Sequence, residues 1–166
     1  DDVSMKIDCV EGRAYQLKIN DSNIKANFTL ADTTVFATPP TLKNIPEWDL
    51  EYTFDNKLID RYIKCKSALP NADTLTLVSD TKNAEIIIGW ERTSTNNITL
   101  PITSPTTCNK FSHISFNANA FKDIMIANRE SKAGQLFMST AGLLKLHFEI
   151  DDFTSTYYLS AVQGGS

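Results

Sequence analysis

Alternation of apolar and polar residues dominates the chain and predicts antiparallel β-strands. Every second position is apolar in residues 144–150, and the same holds in residues 15–19 and 24–28. Period two with one polar side is typical of strands that bury one face of a sheet. Segments rich in Gly, Asn and Asp separate the strands and predict turns at 11–13, 20–23, 80–83 and 140–142.

Two segments have the apolar spacing of amphipathic helices instead. One runs from about residue 56 to 68 and stops before a proline, and the other runs from about 118 to 129 and is followed by a glycine. Asp55 and Asn117 stand immediately before them, where a side-chain oxygen accepts hydrogen bonds from the free N–H groups of the first turn. We therefore expect two helices in a mainly β chain, which is the α+β class.

The two predicted helices belong to an internal repeat of 62 residues, the separation of positions 56 and 118. A short strand precedes each helix, at 49–54 and at 113–117. Three strands follow each helix, at 73–79, 84–90 and 97–103 in the first copy and at 135–139, 143–150 and 156–161 in the second. Such a repeat predicts a pseudo-two-fold domain at 47–163, with both helices packed on one side of antiparallel sheets.

The rest of the chain divides into a β-rich segment, a connector and a tail. Residues 1–36 contain three or four predicted strands and no helix, so they resemble the end of a preceding unit. Residues 37–46 contain three prolines and no clear period, which indicates an extended linker. Residues 164–166 form a short tail. Because the chain does not begin with Met, we expect it to be a piece of a longer product.

Composition is typical of a globular protein and disfavours several functional classes. The 166 residues are 42% hydrophobic and 22% charged. No apolar run approaches the roughly 18 residues of a membrane span, so we expect a cytoplasmic protein without a membrane partner. Three widely spaced cysteines favour free thiols over a disulfide framework or a zinc site. Phosphate-binding glycine loops, nucleophile elbows and metalloprotease motifs are absent, so we predict neither an enzyme nor a cofactor.

The histidines and one acidic pair are the remaining candidates for catalysis or metal binding. His113 and His147 lie on predicted strands between apolar neighbours, which favours outward-facing positions over a catalytic base. Asp151 and Asp152 follow a strand, where adjacent carboxylates usually form a solvated turn. A hydrolase with a pocket at either histidine is kept only as an alternative.

One face of the first helix is basic although the chain is acidic. Lys57, Arg61 and Lys64 recur at i, i+4 and i+7, in a chain with 16 Lys and Arg against 20 Asp and Glu. Lys66 falls nearer the apolar side, where we expect the helix end to leave it in solvent. The second helix region carries its cations at looser spacing: Lys122, Arg129 and Lys132. Alone, a stripe of this kind is usually a solvated face, but cations clustered on one side of a domain indicate contact with a phosphate backbone.

Three stretches resemble DNA sliding clamps, most closely those of T4-type phages and proliferating cell nuclear antigen. They are residues 22–41, residues 54–89 and residues 142–162, the last containing Tyr-Tyr-Leu before a short tail. The resemblance implies a DNA clamp fold with two domains per chain, in a homotrimeric ring whose helices surround double-stranded DNA. Only one complete domain is expected here, which leaves ring closure by this chain open. The implied bore residues are Lys57, Arg61, Lys64, Lys122, Arg129 and Lys132.

The resemblance also implies a second site, where a hydrophobic peptide of the DNA polymerase or clamp loader inserts beside the connector. The implied residues are Leu42, Ile45, Tyr158, Leu159, Ser160 and Ala161. Alternatively, Tyr158 and Leu159 are simply core residues of a strand. The implied function is a phage-encoded processivity factor, acting in the cytoplasm of an infected bacterium. A structural β-rich phage protein that never binds DNA, such as a virion or adaptor domain, explains the strand content and acidity equally well.

Overall fold

A computed structural model describes residues 3–35, 44–91, 93 and 96–162, which belong to two units that divide after Asn44. The first unit is an antiparallel sheet in which the central strand is the second in sequence. Its elements are β1 (Ser4–Val10), β2 (Arg13–Asn20), β3 (Lys25–Thr29) and a single 3-10 turn at Thr33–Val35.

One face of this first sheet is apolar and exposed. Residues opposite each other on paired strands project to the same face. Met5 lies opposite Ile19, Ile7 lies opposite Leu17, and Leu17 lies opposite Phe28. Met5, Ile7 and Phe28 are each more than half exposed. The alternation therefore predicted the strands correctly, whereas the burial that it also indicated is not seen at these positions.

The opposite face of the same sheet is charged. Asp8 Oδ1 lies 3.0 Å from Lys6 Nζ, and Asp8 Oδ2 lies 2.6 Å from Lys18 Nζ. The Lys18 ammonium, with a smaller effect of Lys6, lowers the pKa of Asp8 below its ordinary value. The first sheet thus has two chemically opposite faces.

The second unit contains two copies of a strand–helix–three-strand segment. The first copy comprises β4 (Leu50–Asp55), α1 (Asn56–Ala68), β5 (Thr74–Asp80), β6 (Ala84–Ile88) and β7 (Ile98–Ile102). A two-residue strand, β8 (Thr107–Cys108), follows. The second copy comprises β9 (Lys110–Asn117), α2 (Ala118–Ala127), β10 (Ala133–Ser139), β11 (Leu143–Ile150) and β12 (Phe153–Ser160). The α+β class predicted from the repeat is confirmed.

The leading strand of each copy pairs with the sheet of the other copy. β4 pairs antiparallel with β10, in a five-stranded sheet of order β12-β11-β10-β4-β8. β9 pairs antiparallel with β5, in a four-stranded sheet of order β7-β6-β5-β9. The sheets meet where the backbone N–H of Val162 donates to the carbonyl of Ser115 over 2.8 Å. Each copy therefore needs the other to complete its sheet.

Both helices and both sheets of this unit share one apolar core. Tyr62 of α1 and Phe121 of α2 are fully buried, as are Phe116 of β9 and Leu136 of β10. The Tyr62 and Phe121 rings pack edge to face with their centroids 4.6 Å apart. Burial of side chains of this size contributes about 1.5–3 kcal/mol each. The core thereby holds the two helices side by side and fixes which of their faces meet solvent.

Both predicted helix caps are confirmed. The Asp55 carboxylate accepts hydrogen bonds from the backbone N–H groups of Lys57 and Leu58, over 3.1 and 3.3 Å. Asn117 Oδ1 accepts from the N–H of Ala120 over 2.8 Å.

Neither helix in the described part of the chain has the length and apolarity needed to span a membrane.

Candidate nucleic-acid interface

α1 presents three cations on its solvent side. Lys57, Arg61 and Lys64 are all exposed, and the opposite side of the helix is buried in the core. Among the described residues, none of the three takes part in an ion pair. We call these three residues the α1 stripe.

A recess of about 380 Å³ lies beside the first turn of α1. Lys57 and Arg61 line it together with the capping residue Asp55. Pro101 of β7 and Thr103, which follows this strand, also line it. β7 is an edge strand of the four-stranded sheet. Two residues of the α1 stripe therefore border a polar recess at the sheet edge.

α2 does not carry an equivalent stripe. Its residues at the positions matching Lys57, Arg61 and Lys64 in the repeat are Asn119, Asp123 and Ile126. All three are exposed, Ile126 at 48%, whereas Lys122 is half-buried. The solvent face of α2 thus shows an amide, a carboxylate and an alkyl group in place of cations.

Arg129 lies beyond the end of α2 and is bound to α1. The helix ends two residues earlier than predicted, because the N–H of Arg129 donates to the carbonyl of Ile126 and leaves the i→i−4 pattern. The backbone N–H and the side-chain amide of Asn128 both donate to the carbonyl of Ile124. Arg129 Nε and Nη2 both lie 2.9 Å from Asp60 Oδ1 on α1. The Arg129 charge is therefore neutralised by a carboxylate in this structure.

Lys132 lies apart from the exposed helix faces. It lines a cavity of about 280 Å³ together with Gln135 of β10 and His147 of β11. Gln135 lies opposite His147 in the five-stranded sheet, on the side facing away from the core. Within that cavity wall His147 Nδ1 is 2.8 Å from Thr156 Oγ1. Of the six implied bore residues, three share the exposed face of α1 and a fourth, Arg129, is paired with Asp60 on the same helix. Lys122 is half-buried on α2, and Lys132 lines a separate cavity.

Lys66 is buried, contrary to the expectation that the helix end leaves it in solvent. Only 2% of the residue is exposed. Its ammonium donates to the carbonyl oxygens of Pro70 over 2.9 Å and of Leu69 over 3.4 Å. Carbonyl groups at a helix C-terminus favour a nearby cation, so Lys66 serves the helix end and cannot extend the α1 stripe.

The residues implied in partner binding fall on both sides of the last strand. Tyr158 and Ser160 are exposed on the outward side, whereas Leu159 and Ala161 are half-buried and pack against the core. This division follows from the alternation of side chains along a strand.

The connector contributes one described residue of the implied partner site. Ile45 is 58% exposed, and Leu42 lies outside the described residues.

Tyr158 belongs to an aromatic surface that the sequence did not reveal. Lys145 lies directly opposite Tyr158 in the β11–β12 pair, and its ammonium sits 4.2 Å from the centre of the Phe137 ring. Phe137 packs against Trp48, with ring centroids 5.7 Å apart. We call these four residues the outer patch. Alternation alone places three of them on one side of their strands, but their adjacency depends on strand register.

A recess of about 540 Å³ lies at the end of β12. Ala161 and Val162 line it together with Trp90 and His113. The Trp90 and His113 rings stack with centroids 4.1 Å apart and an angle of 21° between their planes. His113 therefore projects outward, as predicted, and forms part of an aromatic wall.

Other candidate chemistry is sparse in the described part of the chain. No group of three or more His, Cys, Asp or Glu side chains there is arranged to hold a metal ion. Cys9, Cys65 and Cys108 are free thiols in this structure. Asp151 and Asp152 form the exposed turn between β11 and β12.

Solved sliding clamps share this arrangement of strands and helices. PCNA of A. fulgidus, in a structure with the C-terminal region of FEN-1, is similar at TM-score 0.67 and 13% identity, over 99% of this chain and 64% of that one. The PCNA2–PCNA3 complex from Sulfolobus tokodaii gives TM-score 0.66 and 10% identity, over 88% and 59%. DNA polymerase III subunit beta from Borrelia burgdorferi gives TM-score 0.63 and 14% identity, over 98% and 42%.

The likeness is one of structure. No protein-family model matches the chain, and no curated protein matches it by sequence. The chain spans between 42% and 64% of the length of these three clamps. At such low identity a common architecture establishes the fold, and function has to be argued from the site. The chain has the fold of the sliding clamps, which confirms the resemblance expected from its sequence.

Proposed function

We propose that this chain is part of a DNA polymerase sliding clamp, a non-enzymatic processivity factor that encircles duplex DNA. The observation that supports this most directly is the α1 stripe, which displays three cations on the exposed face of a helix in a clamp fold, with no ion-pair partner among the described residues. In a chain of net charge −4, that concentration of positive charge marks one face as the surface for a polyanion.

Weak contact with phosphates suits this function. Non-specific binding through Lys and Arg has a Kd on the order of 10⁻⁴ to 10⁻⁶ M at physiological salt, which permits sliding. Retention then depends on encirclement, so contacts that read bases are unnecessary. Lys57 and Arg61 beside the polar recess provide positive charge along a path that a phosphate backbone could follow.

The proposed ring is a homotrimer of the full-length protein. Sheet edges are suited to form the contacts between copies, since an unpaired edge strand offers free N–H and C=O groups. β3 ends the first sheet and β7 ends the four-stranded sheet, each unpaired on one side within the described chain. Head-to-tail contacts between different edges generate rings when the rotation closes.

The proposed partner site for the polymerase and the clamp loader follows β12. The outer patch offers aromatic surface, and the recess at Ala161 and Val162 offers a place for an inserted side chain. Exposed apolar surface next to a connector suits a short hydrophobic peptide. Lys145 would additionally favour an acidic residue in that peptide.

Charge reversal of the α1 stripe tests the DNA-binding part of this proposal. Lys57→Glu, Arg61→Glu and Lys64→Glu combined in the full-length protein should weaken retention on circular duplex DNA. The melting temperature should change little, because exposed substitutions usually alter stability by less than about 0.5 kcal/mol each. The matched control reverses three other exposed lysines, Lys25, Lys82 and Lys110, and should retain DNA more strongly. Equal retention by the two triple variants would contradict the assignment.

One observation favours a second candidate, a structural β-rich protein whose helices are covered by another subunit. Ile126 is 48% exposed on α2 beside Asp123, and a protein-covered helix would be expected to present such an apolar residue. Sedimentation and electron microscopy of the full-length protein distinguish the two. A trimer with a DNA-sized hole supports the clamp, and a monomer or an extended tube supports the structural protein.

A further inference from the structure

An ion pair links the α1 stripe to the end of α2. Both Nε and Nη2 of Arg129 lie 2.9 Å from Asp60 Oδ1. The Arg129 side chain is 63% exposed and that of Asp60 is 45% exposed. Ion pairs this exposed are weak, because both charges keep much of their hydration. Arg129 is therefore held by a contact that a competing anion could replace.

The position of the pair matters because Asp60 adjoins the α1 stripe. It lies three residues after Lys57 and four residues before Lys64, and residues at these spacings are neighbours on a helix surface. Arg129 reaches Asp60 from the end of α2, so its guanidinium lies beside the stripe on the side of α2. Asp123 and Glu130 are the exposed carboxylates of the α2 region.

We propose that Asp60 is a positioning residue that withholds Arg129 from the DNA backbone. This inference rests on the proposed clamp function. While Arg129 is bound to Asp60, the α1 stripe offers three free cations. Release of Arg129 from Asp60 would add a fourth cation next to them. Each additional phosphate contact strengthens binding and steepens its salt dependence. Asp60 therefore limits the affinity of the exposed α1 face for DNA, which keeps the contact weak enough for sliding.

Salt dependence separates this role from simple repulsion between a carboxylate and phosphates. The number of phosphates contacted sets the slope of log K against log salt concentration, at about 0.9 per phosphate on B-form DNA. Asp60→Asn in the full-length protein should steepen that slope by about 0.9, measured by fluorescence anisotropy with a short labelled duplex. In an Arg129→Gln background the same substitution should leave the slope unchanged.

Asp123→Asn is the matched control, because it removes an exposed carboxylate of α2 that forms no ion pair with a described residue. It should shift the affinity without changing the slope. Circular dichroism of each variant verifies that it is folded.

The outcomes distinguish this inference from the function on which it rests. A slope that stays at the wild-type value in Asp60→Asn, while reversal of the α1 stripe reduces binding, would overturn the role of Asp60 and leave the clamp proposal intact. Equal steepening with and without Arg129 would show direct repulsion and would also overturn it. Binding that is indifferent to the α1 stripe would overturn both.

Discussion

The hydroxyl of Tyr62 in α1 donates a hydrogen bond to the carbonyl oxygen of Ala118, the first residue of α2, over 3.1 Å. The Tyr62 ring is fully buried against Phe121. This contact joins the middle of one helix to the start of the other, and it keeps the α1 stripe directed away from the core.

The same buried phenol predicts a loss of stability at alkaline pH. Burial raises the pKa of Tyr62 far above its ordinary value of 10.0. Above about pH 10 the unfolded chain loses this proton and the folded chain keeps it, so stability falls as pH rises. The free energy of unfolding should therefore fall more steeply in the wild type than in Tyr62→Phe, by up to about 1.4 kcal/mol per pH unit. Urea denaturation of both proteins at several pH values between about 9 and 11 measures this difference in the free energy of unfolding. Tyr158→Phe on the outward face is the control and should follow the wild type, and parallel curves for all three would contradict the prediction.

Asp49 should contribute to acid denaturation. The backbone N–H of Thr140 donates to Asp49 Oδ2 over 2.7 Å, and this bond lowers the pKa of the carboxyl below its ordinary 3.8. A lowered pKa in the folded state stabilises the fold above the unfolded-state value, and this contribution disappears as pH falls through the folded-state value. Asp49→Asn should be less stable at neutral pH and lose less stability on acidification. Melting temperatures from about pH 6 to about pH 2 test this, with Asp152→Asn in the exposed turn as the control. The prediction fails if Asp49→Asn and the wild type lose stability in parallel.

Lys66 should be essential to the end of α1. Replacing it with Met keeps most of its apolar length but removes the donor to the carbonyls of Leu69 and Pro70. A hydrogen bond from a charged donor contributes about 1.5–3 kcal/mol, so Lys66→Met should lower the free energy of unfolding even though the Leu69 carbonyl keeps the N–H of Ala72 as a donor. Lys64→Met, two residues earlier on the exposed side, should change the free energy of unfolding by less than about 0.5 kcal/mol. Chemical denaturation of both variants measures the difference, and equal stabilities would argue against this role of Lys66.

Gly134 should not tolerate a side chain. A Cβ atom at this position would lie 2.5 Å from Phe54 Cζ and 2.8 Å from Phe148 Cε1. The two rings occupy the space that the glycine leaves, with centroids 5.9 Å apart. Overpacking of this kind costs about 1–3 kcal/mol, so Gly134→Ala should lower the urea midpoint with little change in the slope of the transition. Gln135→Ala, on the exposed side of the same strand, is the control, and similar midpoints for the two would refute the clash.

Local rules account well for individual elements. The helix predicted over 56–68 has those bounds in the structure, and the strand predicted over 143–150 does too. Capping, apolar spacing and alternation involve residues only a few positions apart. The end of α2 was missed because the N–H of Arg129 donates to the carbonyl of Ile126 and leaves the i→i−4 pattern, a change that the apolar spacing does not encode.

The pairing of strands that are distant in the chain was harder to predict from the sequence. The repeat and the family resemblance predicted the clamp fold, but no local pattern specified that β4 pairs with β10 and β9 pairs with β5. Register between strands also decides that Lys145 lies beside Tyr158 and over the Phe137 ring. The outer patch therefore could not be found from alternation.

The sequence alone thus sufficed for the element types, the duplicated unit and the cationic face of α1, because each depends on residues close together in the chain or on a regular spacing. Tertiary structure decided which cations stay together on that face. Asp60 and Arg129 are separated by 69 residues in the sequence, and only the packing of α1 against α2 brings their charges into contact. Lys66 was likewise placed by the folded helix end, where two carbonyl groups bind its ammonium.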